Sequence, residues 1–159
     1  MTDFDAAQFR ELCGRFATGV VIVTTLDSSG AAAVMTANSF TSVSLDPPLI
    51  SLNIDRTAEF HRAIEAAATF TVNVLGADQE ALSRRFAQAP GPERFSGIGY
   101  RRTETGRILL TGAIATIDCE TFQRFPVGDH TVVIGRVVGG EAHDGRPLLY
   151  FRGGYHNLS

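Results

Sequence analysis

The chain has 159 residues, 44% of them hydrophobic and 19% charged, which is the size and balance of one folded domain over 1–159 and not of a disordered segment. A formal charge of −3 and a pI near 5.8 disfavour attraction to nucleic acid or to an anionic membrane surface. All 14 basic residues are arginines, which excludes Schiff-base lysine chemistry, and no apolar run reaches the roughly 18 residues that a membrane span needs.

The first element reads as a helix. Phe9, Leu12, Cys13 and Phe16 recur at i, i+3, i+4 and i+7, so they share one face that must pack against something larger. Thr2 or Asp3 can cap its start and Gly19 can end it. Residues 19–25 form a β-branched run of strand length. Asp27-Ser28-Ser29-Gly30 turns the chain, and Ala31 to Thr36 returns as an antiparallel partner. Asn38 to Leu45 reads as a further strand, stopped by Asp46-Pro47-Pro48 because proline cannot donate to a ladder. Leu49 to Ile54 alternates apolar and polar residues at period two.

Thr57 to Ala67 reads as a helix with Phe60, Ala63, Ile64 and Ala67 on one face, and Thr69 to Leu75 as an alternating strand. Asp78 to Gln88 is a third helix. The stretch 89–99, rich in glycine and proline, is a loop. Ile108 to Phe125 is mostly strand, parted at Thr111-Gly112. Pro126 to Asp129 turns, His130 to Ala142 is a long strand, and Leu148 to Phe151 is the last before a tail. Seven or eight strands in hairpins with evenly spaced turns suggest a barrel, with three helices beside it.

Several catalytic sets are absent. There is no GxSxG, HExxH or GxxxxGK[ST], and no GxGxxG follows a strand. His61, His130, His143 and His156 do not fall at metal-ligand spacing, and Cys13 and Cys119 form no CxxC pair, so no metal site and no disulfide framework are expected. The cysteines read as small buried hydrophobes. An acidic start, Met1-Thr2-Asp3-Phe4-Asp5, is unlike a signal peptide, and a cytoplasmic setting follows as the default expectation.

Three segments carry positive signals. At Ile54-Asp55-Arg56-Thr57 a strand gives way to a helix. Thr57 as the N-cap, the free N–H groups of the first turn and Arg56 would make an anion site suited to a terminal phosphate; the alternative is a simple cap beside a solvated arginine. From Thr36 to Ser44, six of nine residues bear a hydroxyl or an amide. That pattern suits a planar ligand with carbonyl and ring-nitrogen edges, or else a solvent-facing strand edge. Gly128-Asp129-His130 places a titratable ring at the head of a strand, as a ligand contact or as a turn residue alone.

Together these segments resemble the flavin reductase family, the small reductase components of two-component flavin monooxygenases. Residues 34–50 (VMTANSFTSVSLDPPLI) resemble its core motif and residues 16–25 (FATGVVIVTT) its opening strand. Residues 70–75 and 82–87 are similar to its middle, and Gly128-Asp129-His130 to its glycine-aspartate-histidine signature. The resemblance runs from Phe9 to Tyr155. It implies a mainly β fold, a split, Greek-key-like antiparallel β-barrel that binds FMN, with a few flanking helices. It also implies a homodimer with flavin near the subunit interface. By position, Thr36, Ala37, Asn38 and Ser39 would contact the isoalloxazine and ribityl groups, with Ser51 and Asn53 on the next strand. Arg56 and Thr57 would hold the phosphate, and Arg85 and Phe86 would close the phosphate or ring side. His130 would sit near the nicotinamide, with Tyr155 and His156 as further candidates.

The implied activity is NAD(P)H:flavin oxidoreductase, with FMN or FAD as flavin, NADH or NADPH as donor, and a partner monooxygenase as consumer. Hydride transfer is chemistry that the cofactors carry, so the lack of a triad is consistent with it. The rival readings are a split-barrel flavin-binding protein without reductase activity, a flavin-dependent oxidase of a phosphorylated pyridine, and a structural dimer module. The polar strand argues against the last, since buried hydroxyls without partners are costly.

Overall fold

The computed structural model describes residues 4–88 and 91–159. The fold is mainly β, with three α-helices among the described residues. Helix α1 is Ala6–Cys13, α2 is Glu59–Ala66 and α3 is Glu80–Gln88. The strands are β1 Thr18–Gly19, β2 Val21–Leu26, β3 Ala32–Ala37, β4 Thr41–Leu45, β5 Pro48–Asp55, β6 Thr69–Val74, β7 Tyr100–Arg102, β8 Ile108–Leu110, β9 Ala115–Val127, β10 His130–Ala142, β11 Leu148–Phe151 and β12 Gly154–Asn157.

One seven-stranded sheet organises the molecule, in the order β3-β2-β6-β9-β10-β5-β4, with every neighbouring pair antiparallel. Its two edges, β3 and β4, are consecutive in sequence and joined only by Asn38-Ser39-Phe40. That short link must therefore bridge the two rims of the sheet. Ser39 secures it: its hydroxyl accepts from the Asn53 N–H (3.0 Å) and donates to the Asn53 carbonyl (3.1 Å) of β5.

The period-two pattern of β2 explains the two cores. Val21 and Val23 face one way and join Leu52, Ile54, Phe70, Val72, Cys119 and Val133, closed by Phe60 and Ile64 of α2. Val20 and Ile22 belong to a second core with Val34, Leu75, Leu110, Leu148 and Phe86 of α3. The first cluster draws on five strands, with β3 packed against it, so the sheet curls around it. The α2 helix is tied to β10 by His61, whose Nε2 lies 2.9 Å from Thr131 Oγ1.

Several expectations change in detail. Asp5 caps α1 in a capping box with Gln8, and the helix ends at Gly14 rather than Gly19; Thr2 and Asp3 lie outside the described residues. The apolar stripe of α1 packs against no larger body in the monomer: Phe9, Leu12 and Phe16 are exposed, Phe16 at 79%. Cys13 is exposed too, and only Cys119 is a buried hydrophobe. The strand expected from Asn38 begins at Thr41, because Asn38 to Phe40 serve as the link. The expected loop contains a 3-10 turn at Pro92–Phe95, while Ala89 and Pro90 lie outside the described residues. Two strands lacked a hydrophobic signal. These are β7, with Arg101 and Arg102, and β12, where the glycine pair reads as tail but turns the chain back onto β11.

Candidate functional site

Three adjoining chambers converge on the link between β3 and β4. A chamber of ≈ 540 Å³ is lined by Met35 to Ser39, Asn53, Asp55, Asp129, His130 and Val132. A second, of ≈ 590 Å³, lies under α1 against Thr18, Asn38, Ser39, Phe40 and Tyr150. A third, of ≈ 210 Å³, is bounded by Thr36, Ala37, Asn38, Ala87, Tyr150 and Tyr155. Asn38 borders all three, and Phe9, Ser39 and Asn53 border the first two. Through these shared residues they adjoin as three lobes of one cleft, and each of the two larger lobes is of the size of a small-molecule site.

The polar residues of 36–39 divide by what already engages them. The Thr36 hydroxyl donates to the Ser83 carbonyl of α3 (2.8 Å), and Ser39 is bonded to Asn53. Asn38 is exposed, and its amide has no protein partner among the described residues, so donor and acceptor are both open to a ligand. Ser83 is fully buried, and its hydroxyl lies 2.7 Å from the Tyr155 hydroxyl. The Arg84 guanidinium lies 4.7 Å above the Tyr155 ring and also pairs with Glu80. These contacts fasten β12 to α3 and set the wall of the third lobe.

The first lobe holds the titratable groups. His130 Nδ1 lies 2.7 Å from Asp129 Oδ1, and that bond to His130 holds the Asp129 carboxyl below its ordinary range. A carboxylate on Nδ1 keeps the proton there and leaves Nε2 as the open nitrogen. The Asp55 carboxyl is also depressed, because it accepts from the Thr57 N–H and hydroxyl, both at 2.7 Å. Thr57 is therefore not a helix cap. It is held by Asp55 in a turn, and α2 starts later, with Ala58 at an N-cap that makes no side-chain bond. Arg56 donates to the Gly128 carbonyl (3.1 Å) from one guanidinium nitrogen and is exposed, with its other N–H groups open.

Six expected residues do not line the three lobes: Arg56 and Thr57, which stand beyond Asp55, and four more. Phe86 is 2% exposed in the second core, with its ring 5.1 Å from that of Phe95; apolar packing has claimed it. Arg85 bonds the carbonyls of Glu93 and Ser96 and so braces the turn after α3. Ser51 lies in the ladder between Thr41 and Ile134, beyond the lobe that Asn53 borders. His156 is exposed and packs its ring against Phe151.

Residues 13–159 match the flavin reductase like domain. The chain belongs to the flavin reductase family. A flavin reductase of Pseudomonas putida is 40% identical over 153 residues, covering 95% of this chain and 89% of that protein. HsaB, the reductase subunit of a flavin-dependent monooxygenase of Rhodococcus jostii, is 39% identical over 155 residues, covering 97% of this chain and 78% of its own. Among solved structures, the NADH:FAD oxidoreductase SgcE6 of Streptomyces globisporus, in complex with NAD and FAD fragments, superposes with a TM-score of 0.91. It is 35% identical, over 98% of this chain and 93% of that one.

In this member of the family, the residues that the sequence did not reveal are those brought in by non-local pairing. Ser83, Ala87 and Tyr150 border or brace the cleft, and Thr18 and Arg152 line its second lobe. Ser83 sits beside Arg84 and Arg85 in a segment already singled out. Its hydroxyl among charged neighbours was the available signal. Thr18 and Arg152 had none, because β1 meets β11 only through the fold.

Proposed function

We propose that this chain is an NAD(P)H:flavin oxidoreductase that reduces FMN or FAD and supplies reduced flavin to a partner monooxygenase. One observation carries the reading: a three-lobed cleft whose walls bring amide, hydroxyl and aromatic groups together converges on the open Asn38 amide, beside an Asp129-supported histidine. The family membership and the relatives named above support it.

The donor set fits a flavin. The amide of Asn38 offers both a donor and an acceptor to the uncharged edge of an isoalloxazine, and the Thr36 hydroxyl keeps lone pairs after donating to Ser83. Thr36 to Ser39 and Asn53 would hold the ring and ribityl chain, and Arg56, with Thr57 beside it, the phosphate. His130 would face the nicotinamide through Nε2, with Tyr155 on the opposite wall. When bound, the two nucleotides supply the redox chemistry themselves, a hydride passing from nicotinamide to flavin. The chain would orient them between Asn38 and His130 and offer neutral donors where negative charge develops. No side chain has to act as a nucleophile, which accords with a cleft that contains Cys13 but neither a base nor an acid paired to it.

The same reading takes the curled sheet as a split barrel closed at Asn38-Ser39-Phe40. It takes the chain as a homodimer, since Phe16 at 79% and Leu45 at 96% exposure are costly to leave in water. Two unpaired cysteines accord with a cytoplasmic setting.

The test is oxidation of NADH or NADPH followed at the nicotinamide band, with FMN, FAD or riboflavin added in turn. Oxidation that needs both protein and flavin is expected. No oxidation in any of the six combinations, with flavin retained through desalting, overturns the reductase reading in favour of a flavin-binding protein.

A further inference from the structure

The hairpin that carries His130 turns in two residues. Val127 pairs with His130, so Gly128 and Asp129 alone form the loop between β9 and β10. Gly128 stands at φ +59° at the first loop position while Asp129 keeps a negative φ, the pattern of a type II′ turn. In such a turn the peptide between the two loop residues can rotate into the type I′ arrangement. That rotation reverses the Gly128 carbonyl and carries Asp129 to a positive φ, which an aspartate tolerates better than most residues. The Asp129 carboxylate would then leave His130 Nδ1, from which it now lies 2.7 Å.

One residue outside the hairpin holds that peptide. Arg56 donates its backbone N–H to the Asp129 carbonyl (3.0 Å) and its guanidinium to the Gly128 carbonyl (3.1 Å). Among the described residues no other element bonds the two loop residues. The second bond is the selective one, because a reversed central peptide would turn the Gly128 carbonyl away from the guanidinium. The backbone of Arg56 is itself fixed from both sides. The ladder of β5 ends one residue earlier, where Asp55 pairs with His130, and the Asp55 carboxylate accepts from the Thr57 N–H one residue later, in an Asx turn. Arg56 lines none of the three lobes, so the contact it makes is with the hairpin and not with the cleft wall.

We propose that Arg56 is the positioning residue of the Asp129–His130 pair: its guanidinium holds the central peptide of the turn, so that the carboxylate stays on Nδ1 and Nε2 stays open to the cleft. The kinetic consequence rests on the reductase reading and deepens it, since that reading sets His130 against the nicotinamide. The geometric claim does not depend on it. The role is also separate from holding a flavin phosphate, which falls to the remaining N–H groups of the guanidinium. Riboflavin, which has no phosphate, tells the two apart.

The first test needs no nucleotide. Long-range ¹⁵N–¹H correlation spectra of the purified protein, at a pH where imidazole is neutral, show which ring nitrogen of His130 carries the proton. Expected is the Nδ1–H form in the parent and a mixture with the Nε2–H form in Arg56→Met, which keeps much of the side chain's length and loses its donors. Arg56→Lys, which can still donate to the Gly128 carbonyl, should restore the parent signal. The His61 signals, set by the contact with Thr131, should not move, which separates a turned loop from a loosened fold. In the kinetic arm, Arg56→Met should lower kcat/KM for NADH about fivefold with riboflavin as acceptor, the order of one exposed hydrogen bond. In an Asp129→Asn background the same change should have no further effect. A His130 proton unmoved in Arg56→Met, or a loss as large in the Asp129→Asn background as in the parent, overturns the proposal. A raised KM for FMN with parent kinetics on riboflavin assigns Arg56 to the phosphate alone and overturns it too. Absence of NADH oxidation in the parent would sink the reductase reading, and the spectra would still decide the place of Arg56.

Discussion

Tyr155→Phe isolates one hydrogen bond that joins the cleft wall to the fold. The Tyr155 hydroxyl lies 2.7 Å from the Ser83 hydroxyl, and Ser83 is fully buried. Phenylalanine keeps the ring, its packing on Tyr150 at 5.3 Å between centroids, and the guanidinium of Arg84 above it. What it removes is the partner of a buried hydroxyl, which costs about 1–3 kcal/mol. Ser83 can recover part of this by turning its hydroxyl to the Gln79 carbonyl one helical turn earlier, so the loss should lie near ~1 kcal/mol. For a chain of this length that is a fall in Tm of about 2–4 °C. Ser83→Ala should behave differently, because the Tyr155 hydroxyl is only half-buried and can turn to water. The double variant should then be no less stable than Ser83→Ala alone, a coupling of about 1 kcal/mol between the two sites. Urea unfolding of the four proteins gives the cycle. Additive losses, or a Tyr155→Phe protein as stable as the parent, would refute the claim that this bond fastens β12 to α3.

Gly135→Ala should destabilise the protein by about 1–3 kcal/mol, since a Cβ there would meet the Phe70 ring at 2.5 Å and Cys119 at 3.0 Å in a packed core; thermal unfolding reads it. Burial pushes the Cys119 thiol up to about 12, so at pH 8 a thiol reagent should modify no more than one cysteine per native chain, and none in Cys13→Ser until it is unfolded. Asp129→Asn should lower kcat/KM for NADH by about tenfold with little change in flavin affinity, by freeing the His130 ring. Because the native Asp129 carboxyl titrates below its usual range, its bond to His130 persists as pH falls through the ordinary carboxylate region and fails only below it. Activity that depends on this carboxylate should therefore show no acid limb from Asp129 above pH 4.

Much of the fold was legible because its strands announce themselves locally. The β-branched run in β2, the alternation in β5 and β6 and the helical stripe of α2 each matched the structure to within a few residues. Phe9, Leu12 and Cys13 of the expected stripe lie on α1, but Phe16 falls beyond its end at Gly14, and the stripe's packing partner was not in the monomer. The polarity of Thr36 to Ser39 pointed to a segment that lines the cleft. It overstated the ligand-facing groups, because sequence does not show that Thr36 serves Ser83 and Ser39 serves Asn53. Phe86 has the composition of a ring contact and the burial of a core residue, a choice that only packing makes. The helix-start argument at Thr57 failed in its cap because Asp55, two residues earlier, competes for the same N–H group.

The link from Asn38 to Phe40 has two tasks that pull in different directions. It spans the two edge strands of the sheet, and Ser39 holds it in register against β5. It also presents Asn38 to all three lobes. Changes at the centre of the cleft should therefore disturb the link between β3 and β4 along with any ligand contacts, which would couple affinity to stability there. Arg10 lies on a helix whose residues are all exposed or nearly so, and Arg152 on a two-residue turn. Neither supports the sheet. The outer lobe can thus change its cations with little cost to the fold, while the inner residues cannot. On the proposed reading, the residues that would hold a flavin are constrained where the link joins β3 to β4, while Arg10 and Arg152 of the second lobe are free to vary.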